Sequence, residues 1–92
     1  MGHLSINEIH KHLEELNNWE LTGDEITKEF HFKEFKQAME FANKVAEESE
    51  RINHHPDIFI RYDKVAISLT THSANGLTYK DFKLAKIIEQ LV

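Results

Sequence analysis

Hydrophobic residues recur at helical spacing in three separate parts of the chain. Apolar positions three and four residues apart line one face of a helix, so each set predicts an amphipathic helix. The sets are Ile6, Ile9, Leu13 and Leu16; Phe35, Ala38, Met39, Ala42, Val45 and Ala46; and Phe82, Ala85, Ile88 and Leu91.

Polar residues mark where these helices begin and end. Ser5 with Glu8, and Thr78 with Asp81, have the spacing of a capping box, in which the two side chains bind each other's backbone N–H groups. This motif explains Asp81 as a capping residue at the positive end of a helix, without any further role. Pro56 is predicted to end the middle helix, because proline cannot donate a backbone hydrogen bond.

Strand-like segments occur in two pairs, each joined by a turn. Residues 19–22 and 26–32 flank a glycine-containing turn, and residues 58–62 and 65–71 flank Asp63 and Lys64. The order of elements is therefore helix, two strands, helix, two strands, helix. It predicts one α+β domain over residues 1–92, with a four-stranded antiparallel sheet and three helices packed on one face.

The second strand pair also suggests where two histidines lie. If Asp63 and Lys64 form a two-residue hairpin loop, Ile60 faces Ile67, and the same register carried outward sets His55 opposite His72. His54 would be next to this pair. Glu50, at the end of the middle helix, and Asp81 could supply carboxylates to the cluster.

Composition excludes several classes of function. The chain has no cysteine, so thiolate nucleophiles, disulfides and cysteine-ligated zinc are absent. The net charge of -5 and the lack of a basic block disfavour nucleic-acid binding. No apolar run has membrane-spanning length, and no signal-like segment follows the start. We therefore expect a cytoplasmic protein.

The histidine pair before Pro56 is open to three interpretations: a metal site, a proton-transfer site or an exposed turn. Adjacent residues on a strand point to opposite faces, so His54, His55 and His72 make a poor zinc set. Histidine titrates near neutrality and suits proton transfer. The remaining histidines are interpreted as surface or packing residues: His3, His10, His12 and His31.

A wider motif gives the chain a resemblance to a known family. Glu50, the His54-His55-Pro56 triplet, Tyr62, His72 and Asp81 together resemble the signature of the pterin-4a-carbinolamine dehydratases. The similarity runs from about Trp19 to the C-terminus. It implies a four-stranded antiparallel sheet with three helices on one side, assembled as a homodimer or homotetramer.

The resemblance also implies an activity. Members of that family dehydrate 4a-hydroxytetrahydropterin to quinonoid dihydropterin in the recycling of the cofactor of aromatic amino acid hydroxylases, and no metal or organic cofactor takes part. By this resemblance His54 and His72 would be the acid–base pair, and His55 would mainly hold the pterin. Glu50 and Asp81 would orient histidines or contact the ring. The site would also be lined by Pro56, Thr71, Ser73 and Ala74.

A second class of function stays open. Members of the family in animals also serve as the dimerisation cofactor of a homeodomain transcription factor. The alternative is therefore a non-catalytic dimerisation module that binds a helical protein partner, with no direct contact to nucleic acid.

Overall fold

The computed structural model describes residues 2–92 and contains the predicted elements in the predicted order. They are α1 (Ile6–Leu13), β1 (Glu20–Thr22), β2 (Glu25–His31), α2 (Phe35–Ile52), β3 (Asp57–Arg61), β4 (Lys64–Leu69) and α3 (Tyr79–Glu89), with a short 3₁₀ helix at His72–Ala74. The α+β prediction is confirmed. Within residues 2–92, no helix combines the length and the apolar character needed to cross a membrane.

The four strands form one antiparallel sheet in the order β1-β2-β4-β3, so β4 is central and β3 is an edge strand. Alternate residues of β4 point into the core, where Val65, Ile67 and Leu69 are fully buried. The helices cover this face: Phe41 and Val45 of α2 and residues of α3 complete one hydrophobic cluster. Burial of this face is the main force that holds the helices on the sheet.

Helix α2 ends before Pro56, and for a different reason from the predicted one. Its last helical residue is Ile52, and Asn53 adopts the left-handed conformation, with φ 55° and ψ 45°. The N–H of His54 then donates to the carbonyl of Ser49 at 3.0 Å. Asparagine tolerates this conformation at a helix end, whereas most residues do not. The reversal of the chain at Asn53 brings His54 back against the protein instead of out into solvent.

The predicted register of β3 and β4 is wrong by two residues. The loop consists of Tyr62 and Asp63, and Ile60 pairs with Val65 instead of Ile67. Tyr62 takes the positive φ of 52° that this tight turn requires, and Asp63 is fixed because its carbonyl accepts the Phe32 N–H at 2.8 Å. A shift of two residues keeps every side chain on its predicted face, but it removes the predicted His55–His72 pair from the sheet.

The first described residues are attached to the start of α3. Leu4 is buried, and its N–H donates to the carbonyl of Leu77 at 2.8 Å. Leu4 immediately precedes the cap of α1, and Leu77 immediately precedes the cap of α3. The two capping boxes are therefore neighbours in space.

Candidate functional site

Three separate parts of the chain meet at one open cleft of about 270 Å³. The segment after α2 brings His54 and His55, the segment after β4 brings His72, and the first turn of α3 adds Lys80. The residues that line the cleft are Asn53, His54, His55, Thr70, Thr71, His72, Ser73 and Lys80. The three histidines thus share a cleft, although the strand pairing expected to bring them together is displaced.

His54 is fixed by a buried carboxylate. Its Nε2 lies 2.6 Å from Oδ1 of Asp81, whose side chain is fully buried. The other oxygen, Oδ2, accepts the hydroxyl of Thr71 at 2.8 Å and the N–H of Thr78 at 2.9 Å. A carboxylate has enough lone pairs to accept all of these donors. Hydrogen bonds to a carboxylate are stronger than those between neutral groups, so His54 has one well-defined orientation.

The capping box of α3 explains how the sequence places Asp81. Thr78 is the N-cap, and its side chain accepts a hydrogen bond from the N–H of Lys80. The Asp81 carboxylate in turn accepts the N–H of Thr78. Asp81 therefore does cap the helix, as its spacing predicts. Capping uses only Oδ2, which leaves Oδ1 to bind His54.

His55 has a similar contact in a different environment. Its Nε2 lies 2.6 Å from Oε2 of Glu50, and both side chains are more than half exposed. Water and salt weaken ion pairs between exposed groups, so this contact orients His55 less strongly than Asp81 orients His54.

His72 begins the 3₁₀ turn after β4 and is exposed. Within residues 2–92 its ring makes no hydrogen bond. The turn itself is held by a bridge between Thr71 and Gly76, in which the Thr71 N–H donates to the Gly76 carbonyl at 3.1 Å. Gly76 packs against His3, and a Cβ at position 76 would lie only 2.8 Å from the His3 Cβ. The N-terminal segment thus supports the turn that carries His72.

The other predicted site residues are distributed around this cleft. Thr71 and Ser73 line it, and Ala74 lines an adjoining cleft of about 350 Å³ that also contains Thr71, Ser73, Thr78, Tyr79 and Lys80. Glu50 and Asp81 are not lining residues but hold His55 and His54. Pro56 is half-buried and lines neither cleft, so its contact with a bound pterin stays a prediction.

The sequence prediction missed three lining residues: Asn53, Thr70 and Lys80. A signal existed for two of them. Asn53 directly precedes the histidine pair at the point where a helix must end, and asparagine is a common left-handed terminator. Lys80 directly precedes Asp81 in the first turn of α3.

The arrangement is suited to moving protons. When the Nε2–H of an imidazole donates to a carboxylate, the tautomer is fixed and Nδ1 is left able to accept a proton. Among the described residues, His54 and His55 both have such a partner, and His72 does not. Among residues 2–92, no group of three or more histidine, cysteine or acidic side chains is placed to hold a metal ion.

A family model and two similar proteins carry the same name, pterin-4-alpha-carbinolamine dehydratase. The family model described as "Pterin 4 alpha carbinolamine dehydratase" matches residues 2–91. A protein of Cyanothece sp. named "Putative pterin-4-alpha-carbinolamine dehydratase" is 50% identical over 88 residues, which cover 96% of this chain and 91% of that protein. One of the same name from Sulfurisphaera tokodaii is 45% identical over 92 residues, covering 100% of this chain and 99% of that protein.

Solved structures confirm the fold. The crystal structure of a "transcriptional coactivator/pterin dehydratase" from Brucella melitensis is similar with a TM-score of 0.94 and 34% identity, covering 98% of each chain. A "pterin dehydratase-like protein" identified as a RuBisCO assembly factor in the alpha-carboxysome has a TM-score of 0.70 and 23% identity, covering 82% of this chain and 89% of that one. The second likeness is one of fold alone.

Proposed function

Because the chain belongs to the pterin 4 alpha carbinolamine dehydratase family, we propose that it dehydrates 4a-hydroxytetrahydropterin to quinonoid dihydropterin in the histidine cleft. The single observation that carries the proposal is the meeting of His54, His55 and His72 around one cleft, with His54 bound to the buried Asp81.

The reaction needs two proton transfers. The C4a–O bond breaks and the hydroxyl leaves with a proton from an acid, as water. The neighbouring ring nitrogen loses its proton to a base, and its electron pair forms the C4a=N5 double bond. A positioned acid or base contributes about 10²- to 10⁴-fold to such a step.

His54 suits the role of the base. Its Nε2–H is donated to Asp81, so Nδ1 can accept the proton from the pterin nitrogen, and the carboxylate then stabilises the imidazolium that forms. His72, which is exposed and belongs to a different segment, suits the role of the acid. His55 holds the ring, and its link to Glu50 orients it. After water leaves, proton exchange with solvent restores both histidines.

The test is the rate of dehydration, followed by absorbance, in His54→Ala, His55→Ala and His72→Ala. We expect losses of about 10²-fold or more for His54 and His72 and a smaller loss with a raised KM for His55. His31→Ala is a matched control, because His31 is an exposed histidine that contacts Glu29 at 3.1 Å on β2, outside the cleft. Unchanged turnover in the His54 and His72 variants would remove the assignment.

An interaction role is the second candidate. Strand β3 is an edge strand, and it exposes Phe59 and Ile60, with Tyr62 in the adjoining turn. The similar Brucella protein is also described as a transcriptional coactivator. Partner binding without any dehydration by the purified protein would favour this role over catalysis. Homo-oligomer formation, a cytoplasmic location and a link to aromatic amino acid hydroxylases remain predictions.

A further inference from the structure

A third concave surface lies beside the histidine cleft and has no role in the mechanism above. This α1–α3 groove has a volume of about 410 Å³ and is lined by His12 of α1 and by Tyr79, Lys80, Phe82, Lys83 and Lys86 of α3. The His12 ring stacks on Phe82, with ring centroids 5.0 Å apart, and meets Tyr79 edge-on at 5.2 Å. The floor of the groove is therefore aromatic.

The groove adjoins the histidine cleft at Lys80. This residue lines the histidine cleft, the adjoining cleft around Ala74, and the α1–α3 groove. The adjoining cleft around Ala74 shares Thr71 and Ser73 with the histidine cleft, and it shares Tyr79 with the α1–α3 groove. A ligand whose ring occupies the histidine cleft can therefore extend past Lys80 into the groove.

The charge of the groove is opposite to that of the whole chain. The formal net charge is -5, yet the part of the chain that the structure describes lines the groove with three lysines and no acidic residue. Lys86 is paired with Glu15 at 2.7 Å, whereas Lys80 and Lys83 have no ion-pair partner within residues 2–92. Lysine stems can cover apolar surface while their ammonium groups stay in water. Such a surface fits a ligand with a flat apolar section and a negatively charged end.

We propose that the α1–α3 groove binds the side chain of the substrate and selects reduced pterins whose side chain has an aromatic section and an anionic end. This inference rests on the proposed function, because the histidine cleft must hold the pterin ring. The exposed Tyr79 ring and the His12 ring, which stacks on the buried Phe82, contact the aromatic section, and Lys80 and Lys83 attract the anion.

Binding of matched dihydropterins tests the proposal. One probe is 7,8-dihydropteroylglutamate, and its control is the bis-amide of the same molecule, which keeps the shape and loses both negative charges. We expect the acid to bind roughly fivefold more tightly than the bis-amide, a ratio typical of two exposed charge contacts. Added salt lowers this ratio. A second pair, 7,8-dihydroneopterin and its monophosphate, shows whether a phosphate without the aromatic section is sufficient.

Charge reversal locates the site of this preference. Lys83→Glu lowers the ratio of the affinities for the acid and the bis-amide to about one. Lys44→Glu makes the same change in net charge at an exposed position on α2 and leaves this affinity ratio unchanged. Equal affinity for the acid and the bis-amide, or a preference that survives in Lys83→Glu, overturns the proposal. Dehydration of 4a-hydroxy-6-methyltetrahydropterin, which has no such side chain, tests the proposed function separately. If the protein turns over this compound but binds the acid and the bis-amide equally well, only the inference about the groove is overturned.

Discussion

Helices α1 and α3 begin with the same local motif, but the two copies have different surroundings. In α1, Ser5 and Glu8 exchange hydrogen bonds in solvent. In α3, Thr78 and Asp81 do the same, yet Asp81 is fully buried and also binds His54 and Thr71. Within residues 2–92 the Glu8 carboxylate binds only the start of its own helix, whereas the Asp81 carboxylate binds the start of α3, Thr71 after β4, and His54 in the cleft.

The comparison shows what a capping motif does and does not reveal. The spacing of the two residues fixes the local backbone geometry in both helices. Whether the acidic residue does anything more depends on what the rest of the fold brings to its second oxygen. For Asp81 that is the segment after α2, reversed at Asn53. For Glu8 no such segment arrives within residues 2–92.

Replacing the buried carboxylate has the largest expected effect. In Asp81→Asn one acceptor oxygen becomes an NH₂ group, which must face a donor that the carboxylate previously satisfied. We expect a loss of about 2–4 kcal/mol in the free energy of unfolding. Dehydration falls on the order of 10²-fold or more, because His54 loses the partner that fixes its tautomer. Urea unfolding and the dehydration assay measure the two effects.

Glu8→Gln is the matched control for that variant, since it makes the same amide-for-acid change in the exposed capping box. It leaves dehydration unchanged. If Asp81→Asn lost stability but kept wild-type turnover, Asp81 would be a helix cap alone, and the proposed orientation of His54 would be wrong.

The contact between Thr71 and Asp81 has an intermediate expected effect. Thr71→Val removes a hydroxyl that donates to Oδ2 of Asp81 and also lies 2.8 Å from the Thr78 hydroxyl. We expect a loss of about 1–2 kcal/mol in the free energy of unfolding. If Thr71 positions Asp81, kcat falls; if it binds the pterin directly, KM rises instead. Thr22→Val, on the exposed face of β1, controls for the change from threonine to valine.

The sequence predicted the elements well because each depends on local patterns. The apolar stripes and the two capping boxes mark the three helices, which appear in the predicted places, although α1 ends before Leu16 and α3 ends before Leu91. β3 does pair with β4, but the predicted register was wrong, because the loop position depends on the positive φ of Tyr62 and on the hydrogen bond from Phe32 to the turn. The turn contact to Phe32 comes from a distant part of the chain, which spacing within one hairpin cannot show.

The histidine cleft was predicted from a register that proved wrong, and the resemblance supplied what the register could not. Asp81 illustrates the limit: from spacing alone the capping role was the stronger interpretation, and only the fold shows that its free oxygen meets His54. Lys80 was missed as a lining residue although it directly precedes Asp81, because position in the sequence does not show which cleft an exposed lysine lines.

The smallest expected effect is the pH dependence of the exposed capping box. The pKa of Glu8 is lowered mainly because its carboxylate accepts a hydrogen bond from the Ser5 N–H. An interaction with the Ser5 hydroxyl lowers this pKa further. A carboxyl group with a lowered folded-state pKa adds stability above its unfolded pKa, and this contribution disappears as the pH falls through the folded value. Glutamine can still accept the hydrogen bond but carries no charge. Wild type should therefore be slightly more stable than Glu8→Gln in urea at pH 7, and the difference should vanish in acid below the lowered pKa of Glu8. A difference that stayed constant down to the most acidic folded condition would show that Glu8 acts through shape and not through its charge.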